Sequence, residues 1–154
     1  MEVDELLKLH KYDIYNNESI NPDKLCHLAE SFSDENIDIL KYFSYSKFTT
    51  KFCWLNPILI INKMKYPQKL KCLPWLFGLL KDVNWPVYED AAHALMSFDK
   101  KDVVSIMEKY LQKAYSEGDK MWISGLYLAS QKLLIRTCDF QNKEIYQLFY
   151  LRDL

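Results

Sequence analysis

The stretch KDVNWPVYEDAAHAL, residues 81–95, sets two carboxylates and a histidine just after a Trp-Pro pair, the raw material of an acid–base site. Glu89 and Asp90 are adjacent, however, and on a helix neighbours point about 100° apart, so they cannot converge on one proton. Near a helix start both acids suit the positive end of the dipole instead. His93 follows on the polar flank, and His10 and His27 lie far away in sequence. No His-x-x-x-His, Cys-x-x-Cys or Glu-x-x-His spacing occurs, and Cys26 and His27 are neighbours that splay apart, so no metal site is expected. With three glycines, Gly78, Gly118 and Gly125, the chain lacks material for a phosphate cradle, a dinucleotide fingerprint or a Gly-x-Ser-x-Gly elbow. Cys72, beside Lys71, is the one candidate for an activated thiol. The pattern predicts no catalytic residues, no cofactor and no small-molecule substrate.

The frame that must position these residues follows from composition. A chain of 154 residues, 49% hydrophobic and 27% charged, forms one domain with a sizeable core. Few glycines and no Asn-Gly or Asp-Gly pair argue against an all-β fold. The apolar run Trp54 to Ile61 is broken by Asn56 and Pro57 and is too short to cross a membrane. The acidic start MEVDELLKLHKYD does not read as a secretion signal, and four widely spaced cysteines in apolar runs read as buried free thiols. A cytoplasmic protein is expected. Net charge is −1, yet residues 1–38 hold ten acids against three lysines, and residues 39–81 hold eight lysines and no acid. Either the acidic helices lie against the lysine-rich segment, or the chain has an acidic and a basic face for different partners.

Helical periodicity runs through the chain. Asn21 caps a helix with Pro22 at its first position, and Leu25, Leu28, Ala29 and Phe32 share one face. A second helix is expected from Ser33 or Asp34, and a third over 49–64, kinked at Pro57 or split in two. Short helices follow to about Lys71 and from Pro74. Then come a helix over 86–98, one from Asp99 or Lys100 to Tyr115 stopped by Gly118, one starting at the cap Asp119, and one over 142–151. Only 48–62 could hide a strand. Eight or nine helices with short connections make the chain all-α.

Within this frame, LPWLFGLLKDVNWPVYEDAAHALMSF, residues 73–98, resembles one unit of a HEAT-type helical repeat through Leu73, Leu76, Leu79, Leu80, Asp82, Val87, Ala91, Ala92 and Leu95. Tyr88 stands where many such repeats carry arginine, so an Arg–Asp ladder is not implied. Residues 102–134 resemble a second, degenerate unit, with Asp119 at its turn and Trp122 opening its second helix. The segments LPWLFGLLKDVNWPV and KMWISGLYL are similar to a bacterial family of uncharacterised HEAT-like proteins with an Asn-Trp-Pro-Val elbow, over residues 70–130. The resemblance implies a right-handed stack of antiparallel helix hairpins, a HEAT-like α-solenoid. It would have irregular helices over 1–66, the best hairpin at 67–98, a second at 99–136 and a capping helix at 139–154. The repeat resemblance together with the lack of a reactive constellation leads to the expectation of a non-catalytic protein-binding module; the strong charge asymmetry of a small helical protein suits an immunity or antitoxin-type inhibitor that binds a cognate toxin, with a scaffold or adaptor as the alternative. Trp85, Tyr88, Glu89, Asp119 and Trp122 are the candidate contact residues; whether Trp85 and Tyr88 seal the elbow or face a partner is open. HEAT-like glycosylases that excise alkylated bases need a strongly basic concave face. Such a DNA glycosylase is the weaker alternative, since a chain near neutrality with two arginines carries less positive charge than nucleic-acid binding generally wants.

Overall fold

The computed structural model describes residues 2–153. Among them the chain is helical, with no strand, so the segment 48–62 hides none. The α-helices are α1 (Val3–Leu7), α2 (Pro22–Phe32), α3 (Ile39–Tyr42), α4 (Leu55–Lys63), α5 (Gln68–Lys71), α6 (Leu73–Gly78), α7 (Tyr88–Ala94), α8 (Lys100–Ser116), α9 (Lys120–Lys132) and α10 (Lys143–Tyr146). Several are continued by 3-10 turns, as at Leu95–Ser97 and Gln147–Leu151. No helix among the described residues is long and apolar enough to cross a membrane. The chain divides into two compact units, Met1–Trp75 and Leu76–Leu154.

In the first unit, α2 starts as its sequence dictates: the Asn21 side chain accepts from Asp23 N–H at 2.8 Å, with Pro22 at the first helical position. Its stripe Leu25, Leu28, Ala29 and Phe32 is buried, and α2 packs on α4. Two expectations need correction. Ser33 does not open the next helix; its hydroxyl donates to the Ala29 carbonyl at 2.7 Å and accepts from Lys65 N–H, closing α2. Asp34 then holds Asn36 N–H in a local turn, which competes with helix, so α3 begins only at Ile39. Pro57 neither kinks nor splits α4. It falls in the first turn, where its missing N–H has no intrahelical partner to lose. Beside it the buried Asn56 amide donates to the carbonyls of Ile14 and Asn17, at 2.9 and 2.7 Å, tying down the N-terminal loop.

In the second unit, α8 packs on α9. The turn between them is the one its sequence specifies. Gly118 is left-handed (φ +66°), its N–H bonds the Tyr115 carbonyl, and Asp119 N–H bonds the Ala114 carbonyl. Asp119 then caps α9 by accepting from Trp122 N–H at 3.0 Å. The elbow before α7 is less direct than expected. Pro86 is not the first helical residue but the second residue of a turn closed by Tyr88 N–H on the Trp85 carbonyl at 3.0 Å, so α7 starts two residues later. An earlier turn, Trp85 N–H on the Asp82 carbonyl, is braced by the Asp82 carboxylate accepting from Asn84 N–H at 2.8 Å. The stripe Val87, Ala91, Ala94, Leu95 and Phe98 is buried.

This unit turns on Gly125, midway along α9. A Cβ built there would lie 1.8 Å from the Leu80 carbonyl oxygen, so only glycine lets the backbone after α6 touch α9. Gly125→Ala must shift backbone, and we expect it to lower unfolding free energy by about 3 kcal/mol. Gly118→Ala, which meets open space but a left-handed φ, should cost only about 1 kcal/mol. Chemical denaturation of both variants checks the ranking; equal losses would place the strain elsewhere.

Candidate functional site

The five residues singled out by sequence take different roles. Tyr88 is 1% exposed, and its hydroxyl donates to the Gly125 carbonyl at 2.6 Å. Burial above all, with Glu89 adding to it, raises its pKa far above the ordinary phenol value, so it remains a neutral donor. Trp122 is also 1% exposed; its indole donates to the Phe77 carbonyl at 3.1 Å, and the Lys81 ammonium lies 4.5 Å from its ring centre. Neither can meet a partner while the fold is intact, so both leave the contact set and become core. Asp119 is occupied as a helix cap. Trp85 is half-buried at the elbow. Glu89 is exposed and pairs with Lys132.

Through Lys132, Glu89 reaches a feature that periodicity did not single out. An apolar groove of about 240 Å³ runs between the end of α7, the start of α8 and the end of α9, lined by Leu95, Met96, Phe98, Val103, Leu133, Leu134 and Ile135. Lys100 and Lys132 flank it. Leu134 is its most unusual member. Helix α9 closes with Leu134 N–H on the Gln131 carbonyl at 3.2 Å and Ile135 N–H on the Ser130 carbonyl at 2.9 Å. This is the closure that α8 makes with Gly118. Here leucine holds the left-handed position, at φ +56°, with its side chain 69% exposed. Met96 beside it is 60% exposed. The signal available in the sequence was the run Leu133-Leu134-Ile135 ending a helix with no glycine to stop it.

The electrostatics of the groove are balanced. Lys100 stands 3.3 Å from the Asp139 carboxylate and 3.4 Å from the Leu134 carbonyl. The Arg136 backbone N–H, at 2.8 Å, is the main cause that holds the Asp139 carboxyl below its usual range, with Lys100 adding to it. Elsewhere the activated-thiol reading of Cys72 fails. Burial pushes its thiol up to about 12, and the nearby Lys69 and Lys71 offset only part of this. The cysteines also differ from the expectation of four buried thiols: Cys53 and Cys72 are buried, while Cys26 and Cys138 are exposed, all four free. Among the described residues no three His, Cys, Asp or Glu side chains are placed to share a metal ion.

Because the folded pKa of Asp139 is depressed, its stabilising contribution is full above the unfolded value and is lost as pH falls through the folded one. Asp139→Asn is therefore expected to be destabilised near neutrality, with the deficit shrinking as pH falls below the ordinary carboxylate range; urea midpoints measured against pH check this. Thiol labelling of the native protein at about pH 8 should modify Cys26 and Cys138 readily and Cys53 and Cys72 only on unfolding.

No protein-family model matches this chain, nor does any curated protein or solved structure.

Proposed function

We propose that this chain is a non-catalytic protein-binding module whose contact surface is the groove at the end of α9. The observation that carries the reading is Leu134. A non-glycine residue in the left-handed region costs about 1–2 kcal/mol, and glycine serves the same closure at the end of α8. Exposing a leucine there adds nothing to the isolated fold. Burying it against a partner contributes about 1.5–3 kcal/mol, so the residue makes sense in a complex. Strain of this kind collects at functional positions.

The rest of the reading follows the same logic. A small bacterial inhibitor of the immunity or antitoxin type would use such a surface, as would a scaffold or adaptor. The acidic segment 1–38 and lysine-rich segment 39–81 would speed capture of a charged partner by steering. Four free thiols suit a reducing cytoplasm. Trp85, half-buried near this region in sequence, remains a second anchor candidate. The packing of α8 on α9 across Gly118 supports an antiparallel hairpin of the HEAT-like kind within the second unit.

A photo-crosslinking amino acid in place of Leu134 in cells is expected to capture protein, and the same substitution at exposed Lys109 is not. No adduct at either position would remove the groove as an interface. Leu134→Gly should raise unfolding free energy by about 1 kcal/mol while abolishing capture by a crosslinker placed at Met96, a split that a merely structural leucine would not give.

A further inference from the structure

We infer that the pocket where the N-terminal loop folds onto α2 binds a small phosphorylated molecule through its phosphate group. The site lies wholly within the first unit and is independent of the groove at the end of α9.

The pocket measures about 350 Å³, within the range of about 300–1,000 Å³ that small-molecule sites occupy. His10 and Lys11 line it from the 3-10 turn His10–Tyr12, Ser19 and Ile20 from the loop, and Asn21 and Lys24 from the start of α2. Its charge runs against that of its surroundings. Residues 1–38 hold ten acids and three lysines, yet two of those lysines line the pocket and none of the acids does. The Asp13 carboxylate, in the same loop, is taken by the N–H groups of Tyr15 and Asn16.

The two lysines keep their charge available. Among the described residues neither Lys11 nor Lys24 forms an ion pair. The Lys24 ammonium lies instead 5.3 Å from the centre of the Tyr12 ring, a buried side chain whose hydroxyl is 2.8 Å from His27 Nδ1. A ring face holds a cation without neutralising it. Two positive charges therefore remain to meet the two negative charges of a phosphate monoester.

The neighbouring groups supply donors. Asn21 Oδ1 accepts from Asp23 N–H, which leaves the Asn21 amide hydrogens to donate. Ser19 adds a hydroxyl, and His10 carries a ring N–H in either protonation state. The helix start is not itself the anion site. Pro22 has no N–H, Asp23 N–H is used by Asn21, and Lys24 N–H bonds the Asn21 carbonyl. Ile20 and the lysine stems give an apolar wall for the organic part of the ligand.

The wall is braced from behind. The Asn17 amide donates to the carbonyls of His10 and Asp13, at 3.0 and 3.1 Å, and the buried Asn56 amide donates to those of Ile14 and Asn17. A pocket held in this way loses little freedom when a ligand enters.

Amide-resolved NMR of the full chain is the test, titrated with inorganic phosphate and with glycerol phosphate at constant ionic strength. The expected result is saturable shifts around the pocket, with phosphate binding at about 1 mM and glycerol phosphate about tenfold more tightly. Lys11→Gln and Lys24→Gln should each weaken glycerol phosphate binding about tenfold, and Ser19→Glu, which sets a carboxylate in the pocket, should abolish it. Lys8→Gln, at a lysine of the same segment that does not line the pocket, should leave it unchanged. Circular dichroism checks that each variant is folded; should Lys24→Gln lose structure with its ring contact, the exposed Lys11 and Ser19 decide. Shifts that do not saturate overturn the inference, and so does an affinity that survives Lys11→Gln and Ser19→Glu. Equal affinity for the two probes, or binding confined to a phosphoserine peptide, overturns it as well.

Discussion

The contact between the α9 backbone at Gly125 and the Leu80 carbonyl organises the second unit. With no side chain at Gly125, the segment leaving α6 lies directly on α9. Two buried aromatic side chains then use hydrogen bonds that only this closeness allows. Tyr88 at the start of α7 reaches the Gly125 carbonyl, and Trp122 one turn earlier reaches the Phe77 carbonyl. Each bond satisfies a side-chain donor that burial would otherwise leave unpaired, a loss comparable to the whole worth of the bond. Around them Phe77 stacks on Tyr110 at 5.7 Å between ring centres, and Tyr110 meets Trp122 at 5.5 Å. The aromatic richness of the chain thus serves this core before it serves any surface.

Against that background Leu134 stands apart. Helices α8 and α9 end in the same pair of hydrogen bonds, and one fills the left-handed position with glycine, the other with leucine. The difference cannot come from helix termination, which glycine performs more cheaply. It leaves an apolar side chain over a groove whose flanking charges cancel, and this combination, not any reactive group, gives the molecule its candidate site.

The first unit handles its charges differently from a simple pairing of acid with lysine. Tyr42 donates to the Asp4 carboxylate at 2.8 Å, while the Lys41 and Lys47 ammonium groups lie 5.9 and 5.8 Å from its ring centre. Lys47 also sits 5.9 Å from the ring of Tyr15. Tyrosines therefore stand between the two charged segments, one end binding a carboxylate and the face receiving cations. The idea that the acidic helices lie against the lysine-rich segment captured the proximity without the mediator.

Local rules determined much of this protein. Caps at Asn21 and Asp119, the stop at Gly118, the buried stripes of α2 and α7 and the absence of strands among the described residues all follow from residue type and spacing within a few positions. Errors arose where two local signals competed, as when Ser33 closed one helix instead of opening the next and Pro86 closed a turn before the helix began. The candidate site lay beyond such rules. Trp85, Tyr88, Glu89, Asp119 and Trp122 are aromatics and acids near a turn and so read as anchors, yet which way a side chain points depends on what packs against it. Packing on α9 turned Tyr88 and Trp122 inward, and the tertiary structure alone brought Leu95, Val103 and Leu134 to one groove. Backbone closeness at Gly125 and a left-handed leucine are properties of the folded chain, since both depend on neighbours far away in sequence.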